Sequence, residues 1–397
     1  MQKVKIPCKC FLTLLVLVIP LFRATAQVAV LKAELHNHQL WIKARLNGAP
    51  TDTLNLVFDS GAGSSLLDSS VVARIFPGRR LGQSMAKGAS GTTTMQVLGN
   101  ESIYLGGQKL DGINFLVNNL NRLSGTMGRR LDGIIGYDIL KRFVVRLDLD
   151  KQTLALYQHI DDVKEDKGPA LDFDFSPDIN FLPRIKGSFT TQNNKVYSGY
   201  FFFDSGAGLA CLLNTPFVDD NNLLSESGPV LHMRADGLTN TTDRITARAR
   251  SFSIGGYTFN DVPLGMSKTA AGVSAMKGYA GLVGNEILYK YNITFDYAHK
   301  AIYMQPNRSH DAAFQFPMAA FAFKTDGAGV YVSNVAPDSP EEQLGLKQGD
   351  RLLSINGKAN LDLDRARAFL ARKGNIKLKV RRDNTEKEFN INLYPRI

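Results

Sequence analysis

The sequence contains the same short motif twice, each time directly after an apolar stretch. The two copies are Leu56-Val57-Phe58-Asp59-Ser60-Gly61-Ala62-Gly63 and Phe201-Phe202-Phe203-Asp204-Ser205-Gly206-Ala207-Gly208. A single Asp-Ser-Gly segment says little by itself, because all three residue types are common in turns. Two copies, each after an apolar strand pattern, indicate a duplicated unit whose equivalent turns can be brought together.

Further landmarks follow each motif in the same order. The first copy is followed by Gly106-Gly107, Gly133-Ile134-Ile135-Gly136 and Asp148. The second copy is followed by Gly255-Gly256, Gly281-Leu282-Val283-Gly284 and Asp296. The distances from each aspartate to these landmarks differ by only three or four residues between the copies. The sequence therefore predicts an internal duplication with a period near 145 residues.

The duplicated region has the pattern of an all-β fold. Short apolar runs alternate with Gly, Asn, Asp and Ser from Val28 to Tyr157, and long helical patterns are scarce there. The composition becomes polar and charged between Gln158 and Asp178, where we place the connection between two lobes. We therefore predict a mainly β unit, with lobe 1 over residues 27–160 and lobe 2 over residues 161–305.

Residues 1–26 have the pattern of an export signal. A basic head is followed by an apolar core from Phe11 to Phe22 and by the small residues Ala24-Thr25-Ala26. The apolar run is too short to predict a membrane span, so we expect no integral membrane segment after cleavage. An uncleaved N-terminal anchor is the alternative. The export signal predicts a periplasmic or extracellular protein.

The charge of the chain does not favour a nucleic-acid partner. Removal of residues 1–26 takes away four basic residues and no acidic one, and lowers the formal net charge from +10 to +6. The remaining basic residues are scattered, and Lys377, Lys379, Arg381 and Arg382 alternate along one predicted strand. This pattern is typical of a solvated strand face, so we predict no nucleic-acid binding.

The remaining cysteine and the histidines do not form a recognisable reactive or metal-binding set. Cys211 is the one cysteine of residues 27–397, so no intramolecular disulfide is predicted there. No His-Asn or His-Asp pattern accompanies Cys211, which favours a buried core residue over a nucleophile. His36-Asn37-His38 has the spacing of two metal ligands, but no third ligand group follows. We predict neither a metal nor another cofactor.

The C-terminal region changes to mixed strands and helices after a polar linker at 305–311. It contains Ala336-Pro337-Asp338-Ser339-Pro340, Gly345-Leu346-Lys347-Gln348-Gly349-Asp350 and Ile355-Asn356-Gly357. On these motifs, residues 312–397 resemble an α+β PDZ domain of the kind appended to bacterial envelope proteases. The resemblance implies that a peptide C-terminus adds as a strand beside a helix, and that backbone N–H groups of a loop hold its carboxylate. The loop aligned with that role is Gly327-Ala328-Gly329-Val330.

The twice-repeated order of apolar strand, Asp-Ser-Gly-Ala and later Gly-apolar-apolar-Gly resembles the retropepsin- and pepsin-like aspartic peptidases. The resemblance covers about residues 30–305. It implies that two tandem β lobes pair about a pseudo-twofold axis, where Asp59 and Asp204 meet as the catalytic residues. It also implies that a Gly-apolar-apolar-Gly segment passes beneath each turn. Because one chain holds both lobes, we expect a monomer.

The chemistry of this family requires two carboxylates in close contact. Two such groups cannot both ionise cheaply, so they share a proton over a wide pH range. The ionised group activates a water molecule as a general base, and the protonated group donates to the scissile carbonyl. The sequence does not determine which of Asp59 and Asp204 carries the proton.

The resemblance assigns roles in supporting the pair to four more residues, Ser60, Gly61, Ser205 and Gly206. The serine hydroxyls would form hydrogen bonds across the lobes, although threonine is commoner at these positions in the family. The glycines would let backbone N–H groups approach the carboxylates. Ala62 and Ala207 lack a hydroxyl that could stabilise the ionised pair, which predicts optimal activity at mildly acidic to neutral pH.

Each lobe also has a candidate cover for the cleft. Polar, glycine-containing hairpins are predicted at 87–92 and 235–239, where the flaps of retropepsins stand. Two flaps would favour a retropepsin-like pseudo-dimer over a pepsin with one flap. The alternative is that both are ordinary surface hairpins.

We therefore predict an aspartic endopeptidase that hydrolyses peptide or protein substrates, with a PDZ domain that binds C-terminal peptides. The alternative is a catalytically inactive exported scaffold that binds peptides through the PDZ groove, or a PDZ module that only packs against the lobes. A glycosidase with an acid and a nucleophile is disfavoured because no aromatic sugar platform accompanies the motifs, and the chain has a single tryptophan, Trp41.

Overall fold

The computed structural model describes residues 27–88, 91–238 and 241–397. The export signal predicted over 1–26 and the flap residues Ala89, Ser90 and Thr239 lie outside these ranges. The described chain is mainly β, with two β lobes followed by an α+β domain, which confirms the predicted fold class.

The strands are short and follow the predicted alternation of apolar runs and turns. In lobe 1 they are β1 (Gln27–His36), β2 (Gln39–Leu46), β3 (Ala49–Phe58), β4 (Leu66–Asp68), β5 (Gly82–Gly88), β6 (Gly91–Leu105), β7 (Gln108–Asn118), β8 (Gly133–Ile135), β9 (Val144–Asp148) and β10 (Thr153–Tyr157). In lobe 2 they are β11 (Ala170–Asp172), β12 (Arg184–Thr190), β13 (Val196–Phe203), β14 (Cys211–Leu213), β15 (Leu231–Asp236), β16 (Thr241–Ile254), β17 (Tyr257–Ser267), β18 (Gly281–Val283), β19 (Tyr291–Asp296) and β20 (Ala301–Pro306). The C-terminal domain has β21 (Phe321–Asp326), β22 (Gly329–Val335), β23 (Arg351–Ile355), β24 (Lys358–Ala359), β25 (Gly374–Arg382) and β26 (Thr385–Leu393).

The helices are few and short. They are α1 (Ser69–Ile75), α2 (Asn121–Met127) and α3 (Tyr137–Leu140) in lobe 1, α4 (Thr215–Asp220), α5 (Leu223–Glu226) and α6 (Asn285–Leu288) in lobe 2, and α7 (Pro340–Gln343) and α8 (Leu363–Leu370) in the C-terminal domain. Within the described ranges, 3₁₀ helices occur at Ile160–Asp162, Pro177–Ile179 and Val273–Ala275.

The two lobes have the same strand topology. The order is β2-β3-β8-β4-β7-β6-β5 in lobe 1 and β12-β13-β18-β14-β17-β16-β15 in lobe 2. In each lobe the strand that leads into the Asp-Ser-Gly motif pairs in parallel with the Gly-apolar-apolar segment. The end partners of these pairs are Phe58 with Ile135 and Phe203 with Val283. The repeat seen in the sequence is therefore a duplication of the whole lobe.

A six-stranded sheet joins the lobes. Its order, β1-β10-β9-β19-β20-β11, places equivalent strands symmetrically about the centre. At that centre β9 and β19 pair antiparallel, with Leu147 opposite Ile293 and Val145 opposite Phe295. The pseudo-twofold axis therefore passes between β9 and β19.

The stretch between the lobes is more ordered than the sequence indicates. The polar segment 158–178 was expected to serve only as a connection, yet β11 lies inside it and pairs with β20. This strand has three residues, which is too short to give a periodic pattern in the sequence. The connection therefore completes the sheet that joins the lobes.

Three phenylalanine rings fill the space beneath the two motifs. Phe58 and Phe203 directly precede the two aspartates, and Phe295 comes from the central strand β19. The ring centroid of Phe295 lies 6.0 Å from that of Phe58 and 5.7 Å from that of Phe203, and all three side chains are fully buried. Phe295 therefore supports both motifs at once.

The C-terminal domain has its own core and sheet, in the order β21-β22-β23-β25-β26, with β24 paired to β23. The prediction that Gly327-Ala328-Gly329-Val330 forms the peptide-binding loop is wrong. Asp326 pairs with Gly329 across a hairpin, and the Ala328 N–H donates to the Asp326 carboxylate at 2.9 Å. Because β22 is paired on both sides, a peptide cannot add beside it. The sheet edge nearest α8 belongs to β21.

The shared support by Phe295 predicts a large loss of stability on its removal. We expect Phe295→Ala to lower the free energy of unfolding by about 3–5 kcal/mol, since it leaves a cavity between the lobes. Phe295→Leu should cost much less because it keeps most of the volume. Urea unfolding followed by the fluorescence of Trp41, the single tryptophan, measures both. Equal losses in the two variants would contradict this role.

Candidate active site

Backbone hydrogen bonds hold the two Asp-Ser-Gly turns in matching conformations. The Asp59 N–H donates to the Ile135 carbonyl and the Asp204 N–H donates to the Val283 carbonyl, each at 3.0 Å. Ala62 N–H closes the first turn onto the Asp59 carbonyl at 3.1 Å. The Gly-apolar-apolar-Gly segment of each lobe thus lies directly against its turn, as the family resemblance implies.

Glycine is required where these segments pass the turns. A Cβ atom on Gly284 would lie 2.5 Å from the Ala207 carbonyl oxygen, which is shorter than a van der Waals contact. A Cβ atom on Gly136 would overlap the Asp59 carbonyl oxygen. Because these glycines have no side chain, each segment can pack directly against the backbone of its turn.

The two serines form reciprocal hydrogen bonds across the lobes. Ser60 N–H donates to Ser205 Oγ at 2.9 Å, and Ser205 N–H donates to Ser60 Oγ at 3.0 Å. The Ser60 hydroxyl also donates to the Phe203 carbonyl at 2.9 Å. Both serines are buried, so these bonds form away from water and fix one turn against the other.

The structure brings the carboxylates of Asp59 and Asp204 together at the axis. Asp59 Oδ1 accepts a hydrogen bond from Gly61 N–H at 2.7 Å, and Asp204 Oδ1 accepts one from Gly206 N–H at 3.0 Å. A Cβ atom on Gly61 would lie 2.6 Å from the Asp204 carboxylate carbon. Each carboxylate therefore lies over the glycine of the opposite turn, where only a glycine fits.

The environment favours a shared proton. Burial raises the pKa of Asp59 well above its ordinary value, and the charge of Asp204 raises it further. Burial also raises the pKa of Asp204, while hydrogen bonds from the N–H groups of Gly206 and Ala207 oppose that rise. The pair therefore titrates as a unit. Two backbone N–H groups donate to Asp204 Oδ1 and one donates to Asp59 Oδ1, and this favours the ionised form of Asp204.

A second layer of side chains fixes the turn of lobe 2, and sequence reasoning missed it. Gln39 Nε2 donates to the Gly206 carbonyl at 3.0 Å, and the Tyr289 hydroxyl donates to the Ser205 carbonyl at 3.0 Å. Asn285 Nδ2 donates to the Ser205 carbonyl at 3.3 Å and also to the His38 carbonyl. The only sequence signal was the position of Asn285, directly after Gly284.

Both candidate flaps are β-hairpins, formed by β5 with β6 and by β15 with β16. Each is joined by hydrogen bonds to the opposite lobe. Asn180 Nδ2 in lobe 2 donates to the Lys87 carbonyl of the first flap at 2.9 Å. Arg122 Nη2 in lobe 1 donates to the carbonyls of Gly237 and Leu238 in the second flap, at 2.8 and 3.3 Å. We call these contacts the Asn180 latch and the Arg122 latch.

Apolar side chains flank the carboxylates on both sides. The lobe-1 cluster consists of Trp41, Val57, Ala62, Leu66, Ala86, Met95, Leu120, Leu131 and Ile134, and Leu238 of the second flap packs against it. The lobe-2 cluster consists of Ile179, Leu182, Phe202, Val273 and Leu282, with Ala207, Leu209, Leu212, Met276 and Tyr279 packed against it. Each cluster includes residues that flank its aspartate in the sequence, so each lies beside one of the two carboxylates.

Other candidate groups do not join this site. Cys211 is buried in the core, as predicted, and burial raises the pKa of its thiol. Among the residues that the structure describes, no group of three His, Cys, Asp or Glu side chains could hold a metal ion. No helix within the same ranges is long and apolar enough to cross a bilayer.

Comparisons with known proteins agree with both halves of this architecture. Residues 42–139 match the family model described as aspartyl protease, and residues 304–393 match the model of the PDZ domain. The chain thus contains an aspartyl protease-like domain and a C-terminal PDZ domain. The protease model matches the first lobe, so the equivalence of the second rests on its topology.

Two curated relatives and one solved structure are similar to parts of the chain. Serine protease HTRA1 from Xenopus laevis is 33% identical over 64 residues, which are 16% of this chain and 14% of that protein. Human serine protease HTRA3 is 32% identical over 69 residues, 17% of this chain and 15% of that protein. These matches concern the PDZ domain. The crystal structure of an aspartic proteinase from Irpex lacteus aligns with 72% of this chain and 98% of its own, at 12% identity and a TM-score of 0.44.

The reciprocal serine bonds predict a specific loss of stability. Ser205→Ala removes the acceptor for the buried Ser60 N–H, which should cost about 1–3 kcal/mol of unfolding free energy. Ser205→Thr keeps the hydroxyl and should retain most of that stability. Urea unfolding of the three proteins measures the difference. The same loss in the threonine variant would show that packing, and not the hydrogen bond, is responsible.

Proposed function

We propose that this protein is an aspartic endopeptidase in which Asp59 and Asp204 activate one water molecule. The observation that carries the proposal is the meeting of two carboxylates, on equivalent turns, at the axis between the lobes. Burial and mutual repulsion give this pair the single shared proton that acid–base catalysis by two carboxylates requires.

The two carboxylates take different roles in this mechanism. Asp204 is ionised and accepts a proton from water as its oxygen attacks the carbonyl carbon of the substrate. Asp59 donates its proton to the carbonyl oxygen, which gives a neutral tetrahedral intermediate. The C–N bond then breaks as the nitrogen accepts the proton from Asp204, and Asp59 recovers its proton from the intermediate's hydroxyl. The initial protonation state is restored without a covalent intermediate.

The clusters beside the pair support a preference for apolar side chains in the substrate. The lobe-1 cluster reaches both flaps through Ala86 and Leu238, and the lobe-2 cluster lies beside the second turn, so residues on either side of the cleaved bond would contact mainly apolar groups. An extended peptide between them would pass under both flaps. We propose that the substrates are unfolded or extended polypeptide segments with apolar residues flanking the scissile bond.

The PDZ domain adds a second peptide-binding surface to this proposal. We propose that it binds the C-terminal segment of a polypeptide as an added strand at β21. On the pattern of residues 1–26 we further propose an exported protein, periplasmic or extracellular, and on the pairing of both lobes within one chain a monomer.

Single substitutions of the pair test the proposed activity. Residues 27–397, Asp59→Asn and Asp204→Asn are compared on a mixed-peptide library from pH 3 to 8, with and without a statine-type inhibitor. We expect both variants to lose at least about 10³-fold in rate, because each carboxylate has a role the other cannot fill. Activity that survives either substitution would refute the shared mechanism. An inactive wild type that still binds C-terminal peptides would favour the scaffold alternative.

The raised pKa values predict the pH dependence. Below the lower pKa of the pair both groups are protonated and no base is present; above the upper pKa both are ionised and no acid is present. Because both pKa values are raised, the active window moves upward, to mildly acidic or neutral pH. Ala207→Thr adds a hydroxyl that can donate to ionised Asp204 and should move the acid limb down by about one pH unit. Ala207→Val has the same shape without the hydroxyl; an equal shift in that variant would contradict the explanation.

A further inference from the structure

β21 is one of the two outer strands of the PDZ sheet, and α8 packs beside it. On the proposed function, an extended peptide would add to this edge and contact α8. We call the space between β21 and α8 the PDZ groove. A segment of lobe 1 already occupies it.

The C-terminal end of α2 lies in the PDZ groove. Gly125 packs so closely on β21 that a Cβ atom there would lie 2.5 Å from the Thr325 carbonyl oxygen. Arg367 of α8 donates through Nη2 to the Thr126 carbonyl at 2.8 Å and to the Phe323 carbonyl at 3.0 Å. One guanidinium group therefore joins α2, α8 and β21.

The turn between β1 and β2 strengthens this contact. Asn37 Nδ2 donates to the Met127 carbonyl at 2.9 Å and to Asp364 Oδ1 at 2.7 Å. His36 Nε2 lies 3.6 Å from the same carboxylate. The end of α2 and the start of α8 are thus held by one turn of lobe 1.

The other end of α2 is hydrogen-bonded to the second flap. Arg122 of α2 forms the Arg122 latch to Gly237 and Leu238. Leu123 and Met127 of α2 pack against the lobe-1 cluster, as does Leu238. A displacement of α2 would therefore remove the hydrogen bonds that hold this flap down and disturb the contacts beside it.

The helix has little support of its own and depends on its tertiary contacts. None of its seven residues is buried, and its N-cap residue, Leu120, provides no side-chain hydrogen bond. Helices of this length are unstable without tertiary contacts, so competition for the groove can release α2.

We propose that α2 is an internal occupant of the PDZ groove, and that a polypeptide C-terminus pairing with β21 displaces α2 and frees the second flap. The ligand is an extended chain with a free carboxylate. Its binding at the PDZ domain raises the rate of cleavage at the Asp59–Asp204 pair. This inference rests on the proposed function, but occupancy of the groove can be tested without catalysis.

A disulfide across the contact tests occupancy. A Cβ atom on Gly128 would lie 3.4 Å from the Leu363 Cβ atom, close to the mean of about 3.8 Å for disulfides. Gly128→Cys combined with Leu363→Cys should therefore lock α2 onto α8 when oxidised. The reduced form of the same variant is the matched control, since it carries the same backbone strain at Gly128. Cys211 is buried and should not interfere.

Binding is measured on an array of peptides with free C-terminal carboxylates, using residues 27–397. We expect the reduced variant and the wild type to retain peptides, and the oxidised variant to retain at least about tenfold less. The corresponding C-terminal amides should bind weakly. If the oxidised and reduced forms retain the same amount of peptide, or if neither retains any, the proposal that α2 occupies the PDZ groove is refuted.

Coupling to the flap is measured by cleavage in the presence of the best array peptide. We expect stimulation of about tenfold in the wild type and the reduced variant, and none in the oxidised variant. Arg122→Ala should be active without peptide while still binding it, whereas Asn121→Ala, an exposed position on the same helix, should behave as wild type. Cleavage unaffected by bound peptide would refute the coupling. If oxidation reduces peptide binding but no form of the protein cleaves peptides, the occupancy of the groove by α2 is supported and the proposed peptidase activity is rejected.

Discussion

The contact between two carboxylates is the constraint on which the rest of this structure depends. Two like charges in a buried site repel each other, so the lobes separate unless other interactions hold the turns in place. Three interactions do so at different depths. The β9–β19 pairing joins the backbones, Phe295 fills the space below the turns, and Ser60 and Ser205 exchange hydrogen bonds directly beside them. The shared proton relieves the remaining repulsion.

The duplication explains why so many features occur in pairs, and the differences between the copies identify where the lobes specialise. Both lobes place two consecutive residues with positive φ against the opposite turn. These are Asn37-His38 beside Gly208 and Asn180-Phe181 beside Gly63. The residue that follows the Gly-apolar-apolar-Gly segment differs between the lobes, however. Tyr137 of lobe 1 stacks on Phe181 of lobe 2, whereas Asn285 of lobe 2 donates hydrogen bonds to the carbonyls of Ser205 and His38.

A second difference lies one residue further along. Asp138 accepts hydrogen bonds from the Ser65 hydroxyl and from Lys141. Its counterpart in lobe 2 is Glu286, whose backbone N–H donates to the Leu209 carbonyl at 3.2 Å. Burial raises the pKa of Glu286 to about 7. Burial thus favours the neutral form of the Glu286 carboxyl, against the opposing charges of Arg244 and Lys290.

The sequence was sufficient to predict the features that repeat. Two Asp-Ser-Gly turns, two Gly-apolar-apolar-Gly segments and a β-rich pattern led to the fold and to the pair of aspartates, because duplication makes weak local signals stronger. It was insufficient where contacts join residues far apart, as between Arg122 and Gly237 or between Arg367 and Thr126. It also failed for the PDZ loop, since Gly327 and Gly329 favour a tight hairpin as strongly as a carboxylate-binding loop. Strand pairing, which decides between these, is not a local property.

The C-terminal domain breaks the symmetry of the duplicated unit. The Asn180 latch joins the first flap to a loop of lobe 2 that follows β11, and β11 is supported by its pairing with β20. The Arg122 latch joins the second flap to α2, which has no buried side chain and is held in part by contacts with β21 and α8. The two flaps are therefore equivalent in origin but not in stability. A ligand that competes for the PDZ groove acts on the second flap only. The cleft can then open on one side while the carboxylates beneath it stay in contact.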